Sequence, residues 1–219
     1  HVFDHWESLS GDSRKRLVDQ LSEIDFDLLE HCIEKHVLTP QTGHRGELSP
    51  APVIRLPDRT PEREAAAVKT GESALRQGRV AAFVVAGGQG SRLGFNGPKG
   101  AYSPGLHSGR TLFELQARKI QAFSKKYGKT IPWYIMTSRT NHSPTQDFFR
   151  KHDYFGFPES DIMLFQQGMM PAVDKSGKLI MAEPDRVFMS PNGHGGSLKA
   201  LADSGALDDM QARGIDTVF

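Results

Sequence analysis

Residues 79–100 read RVAAFVVAGGQGSRLGFNGPKG, an apolar run followed by a loop with six glycines. The apolar run, 79–86, is too short and too rich in valine for an isolated helix, so it predicts a buried β-strand. Glycine adopts positive φ without strain, and its missing side chain lets backbone N–H groups reach an anion. The stretch therefore predicts a strand that leads into a phosphate-binding loop.

Two cations, Arg92 and Lys99, distinguish this loop, and Pro98 stiffens the backbone just before the lysine. The planar guanidinium of arginine can bind two phosphate oxygens at once, whereas the ammonium of lysine acts as a point charge. Together they suit a triphosphate whose α-phosphate is attacked while pyrophosphate leaves, because negative charge accumulates at both places. We interpret them as phosphate-binding residues.

Two named glycine motifs fit the loop poorly. The P-loop of nucleotide hydrolases needs a lysine directly after its last glycine and then Ser or Thr, and neither is present. Gly88, Gly90 and Gly94 are spaced one residue more widely than the dinucleotide fingerprint, and no carboxylate ends a second strand about 20 residues further on. An NAD-type oxidoreductase is the least favoured of the functions considered.

Strands and helices alternate on the carboxyl side of the loop. The apolar patterns predict helices near 111–124 and 144–151, strands over 131–138 and 161–168, a hairpin over 169–183 with its turn at 175–177, a second glycine loop and helix over 190–201, and a strand from 215 onward. This alternation predicts an α/β layered sheet.

The amino-terminal third is predicted to be helical. Two helices are expected over 12–38, with Asp25 or Asp27 capping the second and four apolar residues at helical spacing, Leu17, Leu21, Ile24 and Leu28. The prolines and glycines of 39–59 indicate an irregular connector. Thr60 and Pro61 then begin a helix that should end near Gln77.

Composition excludes several classes of function. The chain has 219 residues, with 27 basic and 26 acidic side chains and a formal charge of +1, so no field of one sign steers it to nucleic acid or a membrane. Its single cysteine, Cys32, excludes an internal disulfide and suits the cytoplasm. Because it begins at His1 and stops within a predicted strand, we expect a piece of a longer chain. The sequence does not indicate an oligomeric state.

The loop sequence AGGQGSRLGFNGPKG (86–100) resembles the signature of the UDP-sugar pyrophosphorylases, most closely the UDP-N-acetylglucosamine branch. The resemblance covers 79–219 and continues in TLFELQARKI, IPWYIMTSR, FFRKHDYFGF, FQQGMMPA and PNGHGGSLKAL. It implies a Rossmann-like, GT-A-like nucleotidyltransferase with a mixed sheet. Residues 1–78 would form an N-terminal helical region and connector, and 79–219 the UTP-binding part of the nucleotidyltransferase domain.

The resemblance also implies a uridylyltransferase that forms UDP-sugar and pyrophosphate from UTP and a sugar 1-phosphate, with Mg²⁺. Arg92 and Lys99 would be catalytic, holding the phosphates and stabilising the transition state. Gln167 would bond the uracil edge beside the backbone of Gly193, and His194 would lie near the nucleoside and the incoming sugar phosphate. The nucleotide-binding residues implied are Val85, Ala86, Gly87, Gly88, Gln89, Gly90, Ser91, Gln167, Gly193 and His194.

Two departures from the family pattern leave alternatives open. The N-acetylglucosamine branch usually carries asparagine at the position of His194, whereas UDP-glucose and broad-specificity relatives carry histidine. The resemblance therefore leaves two candidate substrates, N-acetylglucosamine 1-phosphate and glucose 1-phosphate. Family members are also longer and place a metal-binding aspartate beyond Phe219, so no metal ligand is expected within this chain. The alternative function is a nucleotide-binding or regulatory fragment without turnover.

Overall fold

A computed structural model of the protein describes residues 1–39, 49–105 and 107–219. They form two compact units, one of His1–Pro52 with Met169–Asn192 and one of Val53–Gly168 with Gly193–Phe219. The connector predicted over 39–59 lies partly outside the described residues. The domain boundary predicted between residues 78 and 79 remains a prediction.

The secondary structure alternates as the sequence predicts. The strands are β1 (Val80–Val85), β2 (Trp133–Thr137), β3 (Ile162–Gln166), β4 (Met169–Pro171), β5 (Met181–Glu183), β6 (Arg186–Val187), β7 (Met189–Pro191) and β8 (Thr217–Val218). The helices are α1 (Gly11–Ser22), α2 (Phe26–Ile33), α3 (Pro61–Gln77), α4 (Leu112–Tyr127), α5 (His142–Lys151), α6 (Ser197–Asp203) and α7 (Ala206–Ala212).

The larger unit is built on a parallel sheet with strand order β3-β2-β1-β8. From β1 the chain passes through α4 to β2 and through α5 to β3, and it later returns to pair β8 with the opposite edge of β1. The strand order therefore reverses at β1. In open α/β sheets, ligands bind outside the carboxyl ends of the strands at such a switch point.

Helices cover both faces of this sheet. Successive residues of a strand point to opposite faces, so each strand contributes apolar side chains to both. On one face Trp133 and Ile135 pack with Phe113 of α4 and Phe149 of α5. On the other face lie Ala81, Tyr134, Met136, Phe165, Ala200, Leu201, Ala206 and Met210, the last four from α6 and α7. The α/β layers expected from the sequence are confirmed.

Local capping signals explain where two helices of this unit begin and end. Thr60 accepts a hydrogen bond from the Arg63 N–H, and Pro61 occupies the first position of α3, as predicted. Gly78 closes α3 in the left-handed conformation. Thr111 caps α4 in the same way as Thr60 caps α3.

The smaller unit contains α1, α2 and the antiparallel pairs β4–β7 and β5–β6. Asp25 caps α2, as predicted, by accepting from the Leu28 N–H at 2.9 Å. Leu17 is buried as expected, but Leu28 is 48% exposed and Leu29 is buried in its place. The reason is the break between α1 and α2, which restarts the helical period.

The hairpin expected over 169–183 forms only near its turn. The Asp174 carboxylate accepts from the N–H groups of Ser176 and Lys178, and Val173 pairs with Leu179. Further from the turn the prediction is wrong, since β4 pairs with β7 and β5 pairs with β6. No helix within the described ranges has the length and apolar character needed to cross a bilayer.

Candidate active site

The glycine loop leaves the carboxyl end of β1 and folds back on itself as two paired arms. The Gly90 N–H donates to the Gly97 carbonyl at 2.9 Å, and the Lys99 N–H donates to the Gly88 carbonyl at 3.0 Å. The Phe95 ring packs against the arms, where a Cβ on Gly90 would lie 2.7 Å from it. Residue 90 must therefore be glycine for the arms to close.

The loop presents a set of backbone N–H donors whose acceptors are not found among the residues that the structure describes. Within the described part of the chain, five N–H groups of this loop make no hydrogen bond, those of Gly87, Gly88, Gln89, Ser91 and Arg92. Successive unpaired N–H groups of this kind form an anion-binding concavity. The backbone thus supports the phosphate-binding interpretation drawn from the glycines.

The two cations of the loop are exposed. Arg92 lies in the single turn Ser91–Leu93, and Lys99 begins the turn Lys99–Ala101. Neither side chain has a hydrogen bond or ion pair with any residue that the structure describes, whereas the exposed Arg118 pairs with a carboxylate of its own helix. Two exposed positive charges on a loop rich in N–H donors favour a polyanionic ligand.

Gln167 lies beside the loop at the carboxyl end of β3. Its backbone N–H donates to the Thr137 carbonyl at 2.8 Å, and the residue is only 8% exposed. A Cβ on Gly87 would lie 3.0 Å from the Gln167 Nε2, so the structure brings these two predicted site residues into contact. The side-chain amide has no hydrogen-bond partner among the described residues. An unpaired amide in such a position can read the edge of a base.

Val85 ends β1 and Ala86 leads directly into the loop, with the Ala86 N–H donating to the Met136 carbonyl at 2.7 Å. Gly193 has φ of 65° and ψ of −158°, which only glycine adopts readily. The exposed His194 follows in the turn His194–Gly196 before α6. No hydrogen bond in the described ranges joins His194 to the glycine loop or to Gln167. The roles predicted for Gly193 and His194 stay predictions.

Sequence reasoning missed Asn141, which is fully buried between β2 and the glycine loop. Its Nδ2 donates to the carbonyls of Ala86 at 2.8 Å and Gly88 at 3.2 Å. Its Oδ1 accepts from the N–H of Ser138 at 2.8 Å and from the Ser138 hydroxyl at 2.9 Å. The available signal was the polar run TSRTNH (137–142), which directly follows a buried strand at the edge where ligands bind.

Two further polar residues support the same edge of the sheet. The buried Thr137 hydroxyl donates to the Phe165 carbonyl at 2.9 Å and lies 2.6 Å from the Nδ1 of His142. Burial lowers the pKa of His142, so the neutral imidazole is favoured there. The Thr137 carbonyl also accepts the hydrogen bond from the Gln167 backbone N–H. These contacts fix the end of β3 next to the loop.

A parallel sheet with a glycine-rich loop at its switch point is typical of nucleotide-binding α/β proteins. The model of the UTP–glucose-1-phosphate uridylyltransferase family matches residues 47–219. The chain belongs to this family, and the resemblance noted in its sequence is confirmed.

Named relatives agree with this assignment. The chain is 38% identical over 231 residues to UDP-N-acetylglucosamine diphosphorylase 2 of Arabidopsis thaliana, covering 99% of this chain and 46% of that protein. It is 36% identical over 232 residues to UDP-N-acetylglucosamine pyrophosphorylase of Saccharomyces cerevisiae, covering 100% of this chain and 49% of that protein. The chain therefore spans about half the length of the curated relatives it matches.

The fold also matches a solved structure. The crystal structure of uridine diphosphate N-acetylglucosamine pyrophosphorylase from Trypanosoma brucei, in complex with an inhibitor, superposes with a TM-score of 0.73. Sequence identity is 26%, over 99% of this chain and 47% of that one. The predicted nucleotidyltransferase fold class is confirmed.

Proposed function

We propose that the chain carries the UTP-binding part of a uridylyltransferase. The observation that carries this proposal is the glycine loop at the switch point of the sheet, where five backbone N–H groups and two cations have no partner among the described residues. Family membership supports UTP and a sugar 1-phosphate as the substrates. The products are then a UDP-sugar and pyrophosphate.

The reaction is an in-line displacement at phosphorus. An oxygen of the sugar 1-phosphate forms a bond to the α-phosphorus of UTP, and the bond from that phosphorus to the bridging oxygen breaks. The electron pair leaves with pyrophosphate, so negative charge grows on the leaving group and on the α-phosphate oxygens. Arg92, Lys99 and the loop N–H groups are the donors that would stabilise this charge.

The direct test is an assay of pyrophosphate release by the full-length protein with UTP and a panel of sugar 1-phosphates. Release that depends on both substrates supports the transferase. The alternative is a nucleotide-binding or regulatory fragment without turnover, and the natural length of the gene product would discriminate the two. UTP binding without any release would support that alternative, and binding of NAD in place of UTP would contradict both.

Base selectivity tests the proposed role of Gln167. UTP should bind better than CTP or ATP, because a wrong base leaves the buried amide without a partner at a cost of about 1–3 kcal/mol. Replacing Gln167 by alanine should flatten this ranking, and binding of the three nucleotides by calorimetry measures it. The exposed neighbour Gln166 provides a matched control, since Gln166→Ala should keep the ranking. An unchanged ranking in Gln167→Ala would remove this residue from the uracil site.

Sugar choice tests the proposed role of His194. Histidine offers one donor and one acceptor on opposite sides of its neutral ring, whereas asparagine offers both in one amide that suits an acetamido group. We therefore expect glucose 1-phosphate to be used at least comparably with N-acetylglucosamine 1-phosphate. The measurement is kcat/KM for both sugars in the wild type and in His194→Asn. Strong preference for the acetamido sugar, unchanged in the variant, would exclude this residue from sugar selection.

We propose Mg²⁺ as the cofactor, because the ion commonly accompanies nucleoside triphosphate phosphates in enzymes. Residues 1–39, 49–105 and 107–219 contain no group of three or more His, Cys, Asp or Glu side chains placed to hold a metal. No step of the reaction is assigned to the ion. A cytoplasmic location is proposed on the single cysteine.

A further inference from the structure

The orientation of the Asn141 side chain is fixed by its neighbours. The backbone N–H of Ser138 can only donate, so the atom that it contacts at 2.8 Å must be the amide oxygen. The amide nitrogen then faces the carbonyls of Ala86 and Gly88, which can only accept. Every hydrogen-bonding site of this buried amide is used, and half of them hold the glycine loop.

Those two bonds determine where the loop N–H groups point. In a trans peptide the carbonyl of one residue and the N–H of the next lie in one plane and point in opposite directions. Because the Ala86 and Gly88 carbonyls point toward Asn141, the N–H groups of Gly87 and Gln89 point away from it. These are two of the five donors left without an acceptor among the described residues.

The peptide between Ala86 and Gly87 depends on Asn141 most strongly. The Gly88 carbonyl also accepts from the Lys99 N–H at 3.0 Å, whereas the Ala86 carbonyl has Asn141 as its only donor among the described residues. Gly87 presents little conformational resistance to rotation of that peptide. A rotated peptide would direct a carbonyl oxygen, in place of an N–H, at the bound phosphates.

We propose that Asn141 is a positioning residue that holds the glycine loop in its anion-binding conformation without touching the nucleotide. This role rests on the proposed function, because it assumes that the anion is the triphosphate of UTP. It predicts a specific defect, since the loss of the two amide donors should weaken phosphate binding and leave the base site beside Gln167 intact.

The test compares binding of UTP and uridine to full-length wild type, Asn141→Ala and Asn141→Asp. Asn141→Asp keeps the shape and the two bonds from Ser138 but presents an oxygen to the loop carbonyls. Asn141→Ala removes the donors without adding charge. UTP should bind about 10- to 100-fold more weakly to both variants, whereas uridine should bind with unchanged affinity. Ser143→Ala, which changes an exposed residue of α5 and leaves every bond of the Asn141 amide in place, should keep near wild-type affinity for UTP.

Thermal unfolding of each variant shows whether it is folded, and Asn141→Ser replaces Asn141→Ala if that variant is not. Serine keeps one donor, so its affinity for UTP should fall between those of wild type and Asn141→Asp. Unchanged UTP affinity in a folded Asn141→Ala, or equal weakening of UTP and uridine, would overturn the positioning role. Failure of the wild type itself to bind UTP would instead refute the proposed function, and the positioning role with it.

Discussion

Arg92→Ala and Lys99→Ala are each expected to lower kcat by about 10²–10³ in the full-length protein, as loss of a single transition-state donor typically does. Both side chains are exposed and have no partner among the described residues, so their charge is available to a ligand. Charge on the phosphates grows as the pyrophosphate bond breaks. The loss should therefore be larger in kcat than in the dissociation constant of UTP.

The matched control is Lys151→Ala, which removes an exposed cation at the end of α5, away from the loop. Its turnover should stay near that of the wild type, which would show that the effect is not a change in net charge. Steady-state kinetics and UTP titrations of all three variants provide the comparison. If Arg92→Ala and Lys99→Ala both retain near-normal kcat, these side chains do not stabilise the transition state.

Phe113→Ala is expected to lower the free energy of unfolding by about 3–5 kcal/mol, the usual cost of removing a buried aromatic side chain. The Phe113 side chain is 1% exposed, and its ring centroid lies 5.0 Å from that of Phe149 and 6.2 Å from that of Trp133. Close packing on these sides leaves a cavity that the neighbours cannot fill. Urea unfolding followed by circular dichroism measures the change.

Phe123 offers a comparison on the same helix, because its side chain is 39% exposed. Phe123→Ala should cost clearly less than Phe113→Ala, since less apolar area leaves water when it folds. Equal losses in the two variants would mean that Phe113 is not the packing centre between α4 and the sheet.

The sequence predicted those parts of the fold whose causes are local. The limits of α3 follow from Thr60, Pro61 and Gly78, each of which acts within one helical turn. The strand β1 follows from a short valine-rich run. Burial was expected at Leu28 but is found at Leu29. This was missed because the break before α2 depends on how the chain turns between two helices.

Features that depend on distant residues were not predictable in the same way. Pairing of β4 with β7 joins segments about twenty residues apart. No local signal favours this pairing over a pairing of β4 with β5, which is nearer in sequence. The loop that is proposed to bind phosphate was identified from its glycines and cations. The uracil role proposed for Gln167 came only from a family resemblance. Asn141 was missed because the polar run 137–142 marks the edge of the sheet but does not show which of its side chains bonds to the loop carbonyls.

The pairing of β1 with β8 has a consequence for synthesis of the protein. Val80 pairs with Thr217, so one edge of the central strand has no partner until a segment 137 residues later has left the ribosome. At the usual rate of translation this interval lasts roughly ten seconds. During that time an apolar strand exposes its backbone groups to any other nascent strand. The nascent chain is therefore expected to need protection by chaperones most strongly between emergence of β1 and emergence of β8.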